Sequence, residues 1–248
     1  MKNLLIFVCF LLFLSSNILA KQKVVLVTGE WAPYTSKKMN GYGFFTEIVS
    51  AVFKESDFDV EYRFYPWLRC EHNLKKGIAY AAFPYKMTDE RKKIFDFSDE
   101  LANSKNKFFY LKKRIKSKIK WEKLEDLKPY AIGGTFGYWY KETFKEAGLS
   151  IDYGYTDKIG IMKLHAGRFD FLATNELVGW ELIKTLFPED LNKFATVKKP
   201  FSSDNLRLMI SRTYPKAALI TNRINKAINK IKAKGIYSQI LIKYNLKE

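Results

Sequence analysis

The sequence predicts a two-lobed α/β protein, each lobe an open sheet flanked by helices. Short β-branched runs alternate with segments of helical period, and this alternation occurs in two successive blocks. No internal repeat or low-complexity linker interrupts the 248 residues. Two such blocks leave a cleft between them, and ligands of open α/β sheets bind at the carboxyl ends of the strands.

The first block opens with Val24–Val27, a buried strand that ends at Thr28-Gly29 and the loop Glu30-Trp31-Ala32-Pro33-Tyr34. Phe44, Phe45, Ile48, Val49, Val52 and Phe53 share one helical face. Residues Val60–Tyr65 alternate as a strand stopped by Pro66. A short helix, Leu68–Lys76, closes at Gly77, and Ala79–Phe83 is a strand expected to enter a loop at Pro84. The second block starts with strand Phe108–Leu111, then the basic run Lys112–Lys120, then a helical turn at Leu124–Leu127. Strand Tyr130–Ile132 runs into a turn at Gly133-Gly134-Thr135, followed by helix Tyr138–Ala147. Helix Ile159–Ala166, strand Phe169–Ala173 and helix Glu176–Leu186 complete it. A late strand, Leu206–Ile210, and two C-terminal helices, Ala217–Lys234 and Ile236–Tyr244, finish the chain.

Composition narrows the class. A chain 47% hydrophobic and 28% charged is neither collagen-like, coiled-coil nor disordered. Two Cys and two His exclude a zinc ribbon or a disulfide scaffold. Met1-Lys2-Asn3, the apolar run Leu4–Leu14 and a small residue at Ala20 have the form of a secretory signal peptide cleaved after Ala20. Cys9 falls in that run, so export would leave Cys70 as the one cysteine, expected to be buried and inert. The formal net charge is +17, but Lys and Arg are spread along the whole chain. The run Lys112–Lys120 reads as a solvated connector, and no helix-turn-helix, zinc or RNA-binding signature accompanies it, so no nucleic-acid partner is expected. No Gly-x-Ser-x-Gly, His-Glu-x-x-His or Walker motif is present, and His72 and His165 read as surface histidines.

Several short motifs occur in a particular order: Gly29-Glu30-Trp31-Ala32-Pro33-Tyr34, Tyr65-Pro66-Trp67-Leu68-Arg69, and Phe83-Pro84-Tyr85-Lys86-Met87-Thr88-Asp89-Glu90-Arg91. Phe97-Ser98-Asp99, Leu124-Glu125-Asp126-Leu127, Gly133-Gly134-Thr135 and Ala166-Gly167-Arg168-Phe169-Asp170 follow. As an ordered set over residues 23–245 they resemble the extracellular solute-binding protein family 3, the polar amino-acid receptors of ABC importers. The resemblance implies a type II periplasmic binding-protein fold. One lobe would be residues 21–110 plus 206–248, the other 111–205, with hinge crossings near Tyr110–Lys112 and Ser203–Leu206. It implies a periplasmic monomer that closes on a small carboxylate-bearing solute and delivers it to an ABC permease, with no metal, no cofactor and no catalysis.

The resemblance also assigns candidate ligand-binding residues. Arg91, the arginine of the Thr-x-x-Arg motif, would grip a carboxylate through its planar fork. Trp31 and Trp67 would clamp the rest of the ligand, and Arg69 is a second anion contact. Gly134 and Thr135 would offer donors from the second lobe. Asn175 stands where many of these receptors carry an Asp for the ligand ammonium, and Pro84-Tyr85-Lys86 replaces their small hydroxyl residues. Both departures leave room for an organic acid without an ammonium group. Two alternatives use the same fold: a dehydratase of cyclic carboxylates with Glu30 or Glu176 as general acid, or a sensor acting in trans on a membrane receptor.

Overall fold

The computed structural model describes residues 21–115 and 121–246; the expected leader and the end of the basic run, 116–120, lie outside the described residues. In the first half, β1 (Lys23–Thr28) pairs in parallel with β2 (Asp59–Phe64) on one side and with β3 (Ala81–Lys86) on the other. Buried Val24, Leu26 and Val27 give β1 apolar side chains on both faces, as an interior parallel strand requires. Helix α1 (Phe44–Glu55) connects β1 to β2, and α2 (Trp67–Lys75) connects β2 to β3. A single turn of helix, α3 (Asp89–Lys92), and the short β4 (Asp96–Phe97) follow.

Strand β5 (Ala102–Leu111) then carries the chain into the second half. There β6 (Ile132–Thr135) lies between β7 (Ile151–Gly154) and β8 (Phe171–Asn175), parallel to both. Helices α4 (Lys141–Glu146), α5 (Asp157–His165) and α6 (Glu176–Leu186) flank them, and β9 (Phe194–Thr196) pairs with the end of β5. The chain returns along β10 (Ser202–Ile210) to helices α7 (Ala217–Ala233) and α8 (Ile236–Lys243), which pack on the first half.

The sheet order is β2-β1-β3-β10-β5-β8-β6-β7, so the two long antiparallel strands join two parallel halves. They pair with each other from Ser202 opposite Asn106 to Leu206 opposite Ala102. Beyond that segment β10 pairs with β3, and β5 pairs with β8 from Asn106 opposite Asn175. Phe108 and Phe109 point to opposite faces, as neighbours on a strand must, and each enters a different core of the second half. The first half likewise has a core on each face, one built on α1, α7 and α8, the other on Val27, Cys70, Leu74 and Met209.

Most elements lie where the sequence places them, with the following departures. Strand β3 continues through Pro84 rather than ending there. Its antiparallel partner β10 shifts register between Arg207 and Met209, so the missing Pro N–H falls beside an interruption of the ladder. Gly133-Gly134-Thr135 is part of β6, not a turn, and β7 was not foreseen. Glycines fit here because a Cβ on Gly133 would lie 2.3 Å from the Phe169 ring. The helix expected from Tyr138 begins only at Lys141. His165 is no free surface group: it pairs with Asp190 at 2.7 Å and stacks on Phe187.

Cys70 is fully buried on α2, and burial pushes its thiol up to about 12. It should therefore resist alkylation in the native protein and react fully in urea, a contrast that mass spectrometry of iodoacetamide-treated samples reads directly.

Candidate functional site

The loop after β1 in the first half reaches Tyr138, which follows β6, and Asn175, at the end of β8. The loop after β1 is a tight turn, closed by Trp31 N–H donating to the Thr35 carbonyl at 2.7 Å and by Thr35 Oγ1 donating to the Gly29 carbonyl at 2.7 Å. This turn stacks Trp31 on Tyr34 with ring centroids 4.3 Å apart. It also carries the Trp31 indole to the second half, where Nε1 donates to Tyr138 Oη at 2.9 Å.

Tyr138 Oη in turn donates to Asp157 Oδ2 at 2.5 Å. Asp157 is the first residue of α5, whose N-cap is the Thr156 hydroxyl. Its Oδ1 accepts from Thr135 Oγ1 at 2.8 Å and from Thr174 Oγ1 at 3.0 Å. Three hydroxyls from the ends of two strands and the following loop thus converge on one carboxylate. Desolvation is the larger effect on this group and holds its carboxyl above the usual 3.8, against the opposing pull of those hydrogen bonds.

Thr135 and Gly134 therefore do not present free donors. Thr135 N–H donates to Tyr140 Oη at 2.9 Å, its hydroxyl is on Asp157, and Gly134 is buried in β6 beneath Ile151 and Tyr153. Tyr140 completes a bridge between β6 and β8 by donating to the Ala173 carbonyl at 3.1 Å.

Asn175 is fully buried and fully used. Its Oδ1 accepts from the N–H groups of Leu177 and Val178, capping α6. Its Nδ2 donates to Ser104 Oγ at 2.8 Å and to Tyr34 Oη at 3.2 Å, which ties the first-half loop and β5 to the start of α6. Burial pushes the Tyr34 phenol up to about 12, so this contact stays neutral across the physiological range.

Trp67, Tyr85 and Arg91 come together in the first half. The Trp67 indole lies over Gly29, where a Cβ would meet it at 2.6 Å, and stands edge-on to Tyr85 with centroids 5.6 Å apart. The Arg91 guanidinium lies over the Tyr85 ring, 4.7 Å from its centroid, donates to the Lys86 carbonyl at 3.0 Å and reaches Glu71 at 3.3 Å. Two of its five N–H donors are thereby engaged and the rest of the fork is left. Arg69 stands apart, exposed and lying over the Tyr65 ring.

Sequence reasoning missed Tyr138 and Asp157, and left the role of Lys86 open. Lys86 Nζ is 2.7 Å from Asp204 and sits over the Trp139 ring, a further link from β3 to the second half. Thr156-Asp157 has the ordinary look of a helix start. Nothing local signals that Thr135 and Thr174 will reach it.

The sequence matches the bacterial extracellular solute-binding proteins, family 3, over residues 24–247. The chain belongs to this family. Its fold is the type II periplasmic binding-protein fold. A histidine kinase sensor domain similar to periplasmic binding proteins superposes with a TM-score of 0.77 at 19% identity, covering 90% of this chain and 96% of that one. The arginine-, lysine-, histidine-binding protein ArtJ of Geobacillus stearothermophilus gives 0.72 at 23% identity, with 90% and 94% covered. AncCDT-1, an ancestral amino acid-binding protein and precursor of cyclohexadienyl dehydratase, gives 0.71 at 22% identity, with 89% and 94% covered. No curated protein sequence matches the chain. Among the described residues there is no cluster of metal-ligating side chains and no helix long and apolar enough to cross a membrane.

The folded chain holds the Asp157 proton more tightly than the unfolded chain does. This group's contribution to stability is thus greatest below pH 3.8 and declines as the pH rises from there to its folded value. Urea unfolding between pH 3 and 7 should show wild type losing stability relative to Asp157→Asn as the pH rises. Asn175→Ala removes a cap and leaves buried donors unmet. It should cost about 2–4 kcal/mol in the denaturant midpoint with an unchanged slope.

Proposed function

We propose that this family 3 protein is an exported receptor that captures a small carboxylate-bearing solute, a polar amino acid or related organic acid, by hinge closure. In this reading it delivers the solute to an ABC permease from the periplasm. The observation that carries the reading is the meeting of Trp31 from the loop after β1 with Tyr138 from the loop after β6, 2.9 Å apart at the carboxyl ends of the strands. A solute lodged there would touch both halves and so favour their closed arrangement. We assign one lobe to residues 21–110 plus 206–248 and the other to 111–205. The pairing of Ala102–Asn106 with Ser202–Leu206 supports a hinge running through β5 and β10.

Trp31 supplies the aromatic wall of the site, and the unused edge of Arg91 supplies the carboxylate contact on the first half. Tyr85, the Lys86 carbonyl and Glu71 hold Arg91 in place. A second reading, dehydration of a cyclic carboxylate, would draw on Asp157, whose carboxyl is held above its ordinary range. The earlier candidates are less suited: Glu30 is exposed and accepts the Lys37 N–H, and Glu176 is paired with Lys107 at 2.6 Å.

The deciding experiment is a thermal-shift screen of residues 21–248 against amino acids, dicarboxylates, small peptides and cyclic acids. A ligand at about 1,000 times its Kd should stabilise by roughly 4 kcal/mol, a shift of about 8–16 °C. Arg91→Ala should weaken binding of the hit by about tenfold or more with unfolding unchanged. Unchanged affinity removes Arg91 from the site. Turnover of prephenate or arogenate would replace the receptor reading by the dehydratase one.

A further inference from the structure

We infer that the seam between α6 and the two C-terminal helices holds a second binding site, separate from the meeting of Trp31 and Tyr138, for a small amphiphilic monocarboxylate whose hydrocarbon body lies inside and whose carboxylate sits at Lys232. This site goes beyond the receptor reading and does not depend on it.

The seam contains a cavity of about 450 Å³. Its walls come from three parts of the fold. Leu101, Ala102 and Asn103 belong to the start of β5, and Asn205 to β10, the two crossing strands. Leu177 comes from α6 of the second half. Phe44 comes from α1, Leu241 from α8 and Leu246 from just beyond it. Trp31, Tyr138 and Arg91 do not line it. An occupant would touch both halves and the strands that join them without touching the residues assigned to solute capture.

The polarity of the cavity is graded. Phe44, Leu101 and Leu241 are buried and belong to the apolar core built on α1, α7 and α8, and Leu177 and Leu246 pack against that core. Glu100, Asn103, Asn205 and Lys232 also line the cavity, and all four are exposed, so they form its mouth. A cavity of this volume, apolar within and polar at its opening, has the make of a small-molecule site. Water inside it gains little from such walls, whereas a hydrocarbon chain is removed from water by them.

The charges at the mouth select the head group. Glu100 is countered: its carboxylate accepts from Asn205 Nδ2 at 2.5 Å and lies 3.8 Å from the Arg207 guanidinium. Lys232 is not countered. Its Nζ donates to the Glu100 carbonyl at 3.3 Å, and among the described residues it makes no ion pair. Two of its three N–H donors are left. One uncountered positive charge matches a monoanion, whereas an amine would be repelled and an alcohol would gain no charge-assisted bond. Asn103 adds a neutral donor, since its Nδ2 gives one hydrogen to Asn205 Oδ1 at 3.2 Å and keeps the other. A carboxylate, with two oxygens, can accept from both.

The test is calorimetric titration of residues 21–248 with butyrate, hexanoate, octanoate, hexylamine and hexanol, all below micelle-forming concentrations. Leucine-methyl NMR of the same samples locates the probe. Affinity is expected to rise from butyrate to octanoate at one site per chain, with hexylamine and hexanol weaker than hexanoate. Octanoate should shift the methyls of Leu101, Leu177 and Leu241. Lys232→Gln, at an exposed position, should lower octanoate affinity by about fivefold or more with the thermal midpoint unchanged. Leu177→Trp, which fills the cavity, should abolish octanoate binding, and where that variant does not fold, Lys232→Gln and the methyl shifts decide alone. The proposal is overturned by octanoate binding that does not saturate, by hexylamine binding as well as hexanoate, by shifts that pass over those three leucines, or by wild-type octanoate affinity in Lys232→Gln. Each of these results leaves the receptor reading standing, because the thermal-shift screen with polar solutes judges it separately.

Discussion

The antiparallel ladder between Ala102–Asn106 and Ser202–Leu206 is the constraint on which the remaining structure depends. Each half is a parallel sheet with its own cores, and either would be a small α/β unit alone. The ladder holds the halves in one sheet and sets the strand ends of one against those of the other. Hydrogen bonds along two extended strands tolerate twist at little cost, whereas the packed cores on either side do not deform. The loops at the strand ends are thereby carried on two packed units joined through the crossing strands.

Those loops are held by polar valences that the interior has largely used up. Asn175 makes a cap, a tie to β5 and a tie to Tyr34 with one side chain. Tyr140 joins β6 to β8 through a single hydroxyl. The aromatic residues supply the bulk and these few buried hydrogen bonds supply the register. The Asp157 carboxylate is the exception, since its partners satisfy its geometry but not its charge.

Much of this architecture was legible in the chain. The β-branched run at Val24–Val27 and the helical face of Phe44–Phe53 specify their elements locally, because each is long enough to show its period. The two-block order and the motif series led to the family, and the match over residues 24–247 bears that out. What was not legible depends on pairing across the sheet. Pro84 lies within a strand because β10 is irregular opposite it. Gly133 and Gly134 look like a turn until the Phe169 ring and the β7 side chains cover them. Trp31, Trp67 and Arg91 could be picked out as residue types, but their partners could not. Asp157 meets Thr135 and Thr174, distant in sequence, only because β6 and β8 are neighbours.

The alternation of side chains along β5 has a further consequence, for how chains of this kind can change in length. A one-residue insertion in β5 would exchange the faces of Phe108 and Phe109 and carry Lys107 away from Glu176. The same slip would separate Ser104 from Asn175. A single insertion or deletion within β5 would thus break the packing of both cores of the second half and its polar ties at one stroke.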